Sequence, residues 1–312
     1  MASNTSSDRP KLIDPQALAR LKGVSLRANV VVDGVLQGLH RSPHQGASIE
    51  FAEHKEYSPG DEIKHVDWKV FGRVDKYYVK KFEHETNLQA FLVIDGSASM
   101  GYRAEGALSK FEYASVLATA LAYLMLRQQD AVGLVKFDEA LAEVVPPRSR
   151  MTHLMALCDV LEKSRVKGGT NLEAALKSLV EHQKKRGLVL IFSDFFGDDE
   201  RSFTMLRHLV GRGHDVTVLQ VLDGDELEFP FKEMTLFEGL ESDLKLLVEP
   251  QIVRREYLQR MQEHQGRIRK KALEAQAGYL LVDTRVPPGE IVLRFLRERR
   301  RETGGTAPAA RS

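Results

Sequence analysis

Three oxygen-bearing side chains stand at alternate positions where an apolar run ends. The run LVID closes on Asp95, and Ser97 and Ser99 follow with small residues between them. Polar residues are ordinary where a strand enters a turn. Alternate spacing nevertheless puts both hydroxyls on one side of the loop, and hard oxygen donors suit magnesium, manganese or calcium. The segment is therefore compatible with a turn, a catalytic loop or a metal site.

Two more oxygen donors lie where other elements begin or end. Thr170 lies in the loop KGGTNLE before a helical pattern, and Asp194 ends the apolar run GLVLIFSD. Ligands of open α/β sheets bind beyond the carboxyl ends of the strands. Thr170 could instead cap the helix, with Glu173 completing a capping box, and Asp194 could simply follow a strand. The candidate metal ligands are Asp95, Ser97, Ser99, Thr170 and Asp194.

Alternating strands and helices are predicted to position these residues. Apolar runs predict strands at 88–95, 131–137, 187–194, 214–223 and 279–284, and helical patterns occur at 109–128, 150–164, 171–185, 201–213, 251–276 and 289–302. Continuous apolar strands between helices indicate a doubly wound, mostly parallel α/β sheet covered on both faces. Residues 229–249 interrupt the alternation and predict a β-hairpin insertion around EGLESD.

The first part of the chain is less regular. Residues 15–39 predict two short helices broken near Gly23, and 77–85 predict a strand that pairs antiparallel with 88–95. We therefore expect an N-terminal helical and irregular extension over 1–86, an α/β domain over 87–302 and a disordered tail over 303–312.

Composition narrows the classes of function. The 312 residues carry a net charge of +1, so bulk charge does not favour nucleic acid or membrane partners. The single cysteine, Cys158, lies in an apolar helical pattern and is expected in the core. The sequence shows neither a signal peptide nor a run of about 20 apolar residues that could span a bilayer. A cytoplasmic protein is expected.

The five oxygen donors, in this order, resemble the metal-ion-dependent adhesion site (MIDAS) of von Willebrand factor type A domains. Its pattern is D-x-S-x-S, then a distant Thr, then a distant Asp, which here are Asp95-Gly-Ser97-Ala-Ser99, Thr170 and Asp194. The resemblance implies that the three hydroxyls contact a divalent cation, Mg²⁺ or else Mn²⁺ or Ca²⁺, and that the two carboxylates act mainly through water. It also implies an open position that a partner's carboxylate fills.

The segment upstream of this site resembles the signature of the bacterial domain-of-unknown-function-58 family. The matching residues are Arg41, Gly46, Tyr57, Pro59, Gly60, Asp61, Asp67, Trp68, Arg73 and Glu83. Proteins of this family are associated with MoxR-type AAA+ ATPases. The resemblance therefore implies an adaptor or co-chaperone with such an ATPase as its partner.

Enzymatic alternatives lack parts of their motifs. The chain has neither the G-x-S-x-G elbow of a serine hydrolase nor a P-loop. A metal-dependent hydrolase remains the alternative, and a scaffold with a vestigial site is a third possibility. His54, His65 and Asp67 form either a further metal or catalytic group or a hydrogen-bonded subdomain around Trp68. We expect a non-enzymatic, metal-dependent protein-binding module.

Overall fold

The computed structural model describes residues 14–40, 54–56, 78–80, 88–139, 141–183, 185–197 and 200–304. The chain divides into two compact units, 1–39 with 88–312 and 40–87. All ten residues of the upstream signature, and His65 as well, lie outside the described residues. The domain boundary expected after residue 86 stays a prediction.

A short antiparallel pair is described in the unit 40–87. Strand β1 (His54–Glu56) pairs with β2 (Tyr78–Lys80), with His54 opposite Lys80. The predicted antiparallel pairing of 77–85 with 88–95 is wrong. Strand β3 (Gln89–Asp95) has a parallel neighbour on each side, and almost all of its residues are buried. A strand that is apolar on both faces belongs in the centre of a covered sheet.

Six of the strands in the unit 1–39 with 88–312 form one sheet. The strands of the sheet are β3, β4 (Ala131–Phe137), β5 (Leu141–Arg148), β6 (Gly187–Ser193), β7 (Asp215–Leu222) and β10 (Gly278–Asp283). Two further strands, β8 (Thr235–Glu238) and β9 (Lys245–Val248), form a separate hairpin. The sheet has the order β10-β7-β6-β3-β4-β5, and β5 alone pairs antiparallel. The order reverses between β3 and β6, which makes this the topological switch point where doubly wound sheets bind ligands.

Helices cover both faces of the sheet, as the sequence predicts. They are α1 (Pro15–Ala19), α2 (Val24–His40), α3 (Lys110–Arg127), α4 (His153–Lys163), α5 (Leu172–His182), α6 (Glu200–Gly211), α7 (Gly224–Glu228), α8 (Pro250–Glu274) and α9 (Pro288–Gly304). One core joins α1–α4 and α9 to the sheet and contains Cys158, as expected. The other core joins α5, α6 and α8 to the opposite face. No helix in the described ranges is long and apolar enough to cross a membrane.

The predicted hairpin is confirmed as β8 and β9, which pair antiparallel with Thr235 opposite Val248. An aromatic cluster holds its base. Phe229 packs against Phe231 and Phe237 at ring-centroid distances of 5.2 and 5.5 Å, and against Tyr257 of α8 at 4.5 Å. The side chains along the hairpin are mostly exposed, so the cluster fixes the base while the tip extends away from it.

Candidate metal centre

Two neighbouring parallel strands bring the predicted site residues together. Asp95 is the last residue of β3, and Ser193 is the last residue of β6, followed directly by Asp194. Because β3 and β6 are parallel and adjacent, their carboxyl ends meet at the switch point. The side chains of all three residues are withdrawn from solvent. Each therefore needs a polar partner within the fold.

The Asp95 carboxylate accepts hydrogen bonds from three separate segments of the chain. Oδ1 accepts from the Ser97 amide at 2.9 Å, while Oδ2 accepts from the hydroxyls of Ser193 at 2.6 Å and Thr170 at 3.2 Å. Burial, and secondarily the nearby Asp194 charge, raises the pKa of Asp95 to about 6, against the opposing effect of the Ser193 hydrogen bond. Asp95 thus organises the site as a shared acceptor in an environment that disfavours uncompensated negative charge.

The two loop serines are spaced as magnesium ligands would be. Their hydroxyls are hydrogen-bonded to each other, with the two Oγ atoms 3.1 Å apart. Adjacent oxygens of an octahedral magnesium site with bonds of about 2.1 Å are separated by about 3.0 Å. Ser97 is buried and Ser99 is partly exposed, on a short 3₁₀ turn over Ala98–Gly101 that buried Met100 anchors. The donor set therefore fits a small, hard cation reached from solvent on the Ser99 side.

Backbone hydrogen bonds fix the serine loop against its neighbours. The Gly96 amide donates to the Phe137 carbonyl at 2.6 Å, and the Gly96 carbonyl accepts from the Lys167 amide at 3.0 Å. The Ala98 amide donates to the Gly168 carbonyl at 2.9 Å. A Cβ on Gly96 would come within 2.3 Å of Cε of Lys136, so any side chain there would force the Lys136 side chain to shift.

Thr170 donates to Asp95 and does not cap the helix. The alternative capping box is wrong, because the N-cap of α5 is Asn171, whose side chain accepts from the Ala174 amide at 3.0 Å. The Thr170 hydroxyl is therefore left to donate to Asp95. The loop is held from the other side by Glu139, whose carboxylate accepts from the Gly169 amide at 3.0 Å.

Asp194 lies in the site but its carboxylate is bound to a buried lysine. Oδ2 lies 2.8 Å from Lys110 Nζ, and Oδ1 accepts from the Phe196 amide at 3.0 Å. Lys110 also pairs with Glu226 of α7 at 2.6 Å. Burial acts to lower the pKa of Lys110, but the two carboxylates together raise it above its ordinary value. The lysine is thus held as a cation.

The buried carboxylates linked to this site outnumber the lysine that pairs with them. Asp95, Asp194 and Glu226 contribute three formal negative charges when ionised, and Lys110 contributes one positive charge. Two negative charges remain in a poorly solvated region, and a divalent cation would neutralise them. Charge and donor type therefore agree on the kind of ion that fits.

Four residues of this region were not predicted from the sequence. Ser193 adjoins Asp194 and was recognisable only as a neighbour, and Lys110 was recognisable as a lone cation at the start of the strongly apolar α3. Glu226 and Glu241 gave no local signal. Glu241 lies at the tip of the hairpin, where its Oε1 accepts from the Ser99 amide at 3.3 Å.

The fold and the site define the class of the protein. Within the described part of the chain, no three His, Cys, Asp or Glu side chains are grouped to hold a metal, so the candidate centre depends on hydroxyls. A doubly wound sheet with an antiparallel edge strand, and with D-x-S-x-S at its switch point, is a von Willebrand factor type A-like domain. The chain belongs to the DUF58 family of proteins of unknown function, whose model matches residues 53–267.

The chain is also similar to curated relatives and to solved structures. Uncharacterised proteins of Mycobacterium bovis and Mycobacterium tuberculosis are 28% identical over 227 residues, which cover 71% of this chain and 70% of each relative. BatB from Bacteroides thetaiotaomicron aligns with a TM-score of 0.43 at 14% identity, over 69% of this chain and 99% of that one. An aerotolerance-related membrane protein from Bacteroides fragilis aligns with a TM-score of 0.44 at 15% identity, over 68% and 99%.

Proposed function

We propose that the protein is a non-enzymatic, metal-dependent protein-binding module that takes up a carboxylate of its partner. The main support is the hydrogen-bonded pair of Ser97 and Ser99 hydroxyls, whose 3.1 Å separation would also suit neighbouring ligands of a magnesium ion, beside the buried Asp95 carboxylate. When bound, the cation would supply an electrophile that attracts an anionic side chain. Ser97, Ser99 and Thr170 would hold it, and Asp95 and Asp194 would balance its charge.

The proposed partner is a MoxR-type AAA+ ATPase, and the proposed setting is the cytoplasm. Both follow from the family resemblance and the sequence. The chemistry of the site adds one requirement: the partner must present an aspartate or glutamate on an accessible surface, because neutral hydroxyl ligands leave the charge of the cation only partly compensated.

Ser99→Ala tests this proposal with the least disturbance of the fold. Ser99 is partly exposed, whereas Asp95 is fully buried and accepts three hydrogen bonds, so replacing Asp95 would also disturb packing. We expect Ser99→Ala to weaken magnesium binding at least about tenfold. Exposed Ser149 offers a matched control, since Ser149→Ala deletes the same hydroxyl away from the site.

Partner capture should follow magnesium binding. Tagged wild-type protein is incubated with native lysate in magnesium or in EDTA, and the bound proteins are identified by mass spectrometry. The proposal expects an AAA+ ATPase with the wild type and Ser149→Ala in magnesium only. The proposal is ruled out if Ser99→Ala in EDTA recovers as much of the ATPase as the wild type does in magnesium. Turnover of p-nitrophenyl phosphate or acetate that is lost in Ser99→Ala would favour the hydrolase instead.

A further inference from the structure

The tip of the β8–β9 hairpin brings a carboxylate to the candidate metal centre. Oε1 of Glu241 accepts a 3.3 Å hydrogen bond from the amide of Ser99, although the two residues are 142 positions apart. Ser99 is also the partly exposed serine of the predicted ligand set. The Glu241 carboxylate is therefore placed on the solvent side of the site, where an incoming acidic side chain would arrive.

The hairpin is packed more firmly at its base than at its tip. Its base is fixed by the Phe229 aromatic cluster and by Arg254, which donates to the Glu228 carbonyl at 2.8 Å. Beside Glu241, the side chains of Leu240 and Leu244 are 52% and 66% exposed, so burial of apolar surface does little to hold the tip down. A fixed base with a weakly held tip allows the carboxylate to leave without unfolding the hairpin.

We propose that Glu241 is an intrachain ligand of this centre, filling the position that a partner carboxylate must take. The inference rests on the proposed function and adds its regulation. A carboxylate tethered in this way competes at an effective concentration of roughly millimolar order. Weak or isolated carboxylates are then excluded, and only a partner with further contacts displaces the hairpin.

Manganese serves as the probe, because it accepts the same oxygen ligands and is paramagnetic. The full-length wild type is compared with Glu241→Gln, and with Asp243→Asn as a control that removes the same charge two residues along the hairpin. Free Mn²⁺ is measured by electron paramagnetic resonance. At equal bound Mn²⁺, relaxation of the methyl protons of added acetate then reports whether a small carboxylate reaches the ion.

Glu241→Gln is expected to weaken Mn²⁺ binding about tenfold and to increase acetate relaxation several-fold. Asp243→Asn is expected to match the wild type in both measurements. Unchanged or tighter Mn²⁺ binding in Glu241→Gln overturns the inference, and so does weaker binding without acetate access. If Ser99→Ala loses Mn²⁺ while Glu241→Gln behaves as wild type, this inference alone fails. A wild type that binds no Mn²⁺ refutes the proposed function as well.

Discussion

Nζ of Lys110 lies 2.8 Å from Oδ2 of Asp194, and the two side chains are 0% and 1% exposed. The same ammonium pairs with Glu226, so one buried cation serves two carboxylates. Such a group contributes little net stability when paired, but its removal leaves buried charge uncompensated. The candidate site is thus built around an internal cation that the five-residue pattern does not contain.

Replacing this lysine should therefore be severe. Lys110→Met leaves Asp194 and Glu226 without their cation, and we expect the free energy of unfolding to fall by about 3–5 kcal/mol. Urea unfolding measures the loss. Lys245→Met is the control, because its pair with Glu238 is 64% and 55% exposed and should be worth less than about 1 kcal/mol. Similar small losses in both variants would contradict the role given to Lys110.

The site residues that were predicted from the sequence have local signals. Asp95, Ser97 and Ser99 form a compact pattern at a strand end, and Thr170 and Asp194 end or begin apolar elements. Glu226 and Glu241 reach the region from distant elements, so their roles depend on how α7 and the hairpin are placed. No local pattern encodes such placement.

The fold shows the same division between local and long-range information. The parallel strands and the covering helices follow from apolar periodicity, whereas the pairing of β1 with β2 depends on residues far apart in the chain. Strand β5 was not predicted because it contains Pro146 and Pro147. It forms the edge of the sheet, where a missing amide donor is tolerated.

Gly96 offers a test of how tightly the serine loop is packed. In Gly96→Ala the added Cβ meets Lys136, which is buried and paired with Asp138 at 3.1 Å, and lies 3.2 Å from the Phe137 carbonyl. We expect a loss of about 1–3 kcal/mol in unfolding free energy from overpacking, accompanied by weaker magnesium binding. Gly266→Ala, in open space on α8, should be stabilising by about 0.4–1 kcal/mol. A stable Gly96→Ala that binds magnesium normally would refute this account of the loop.

Ser193 is expected to stabilise Asp95 through its hydroxyl. Ser193→Ala removes a 2.6 Å donor to the Asp95 carboxylate and the acceptor for the Phe195 amide at 2.9 Å. Leaving buried groups unsatisfied should cost about 1–3 kcal/mol. Ser115→Ala is the control, since its buried hydroxyl has no hydrogen-bond partner among the described residues and its loss should be nearly neutral. Equal effects in urea unfolding would refute the prediction.

His214 should make stability depend on pH. It is buried before β7, and its Nδ1 has no hydrogen-bond partner in the described part of the chain. Burial, with a smaller contribution from Arg212, lowers its pKa below the ordinary 6.5. The unfolded chain therefore binds the proton more readily, so this contribution is present above pH 6.5 and is lost as pH falls towards the folded pKa.

The His214→Gln variant isolates this contribution, because glutamine does not titrate. Urea unfolding from pH 8 to pH 5 should show the wild type losing more stability than the variant below about pH 6.5. The comparison is needed because Asp95, whose pKa is raised to about 6, changes stability in the opposite direction as pH falls. The two proteins share that effect, so it cancels in their difference. Parallel stability curves across this range would show that His214 is not the group responsible.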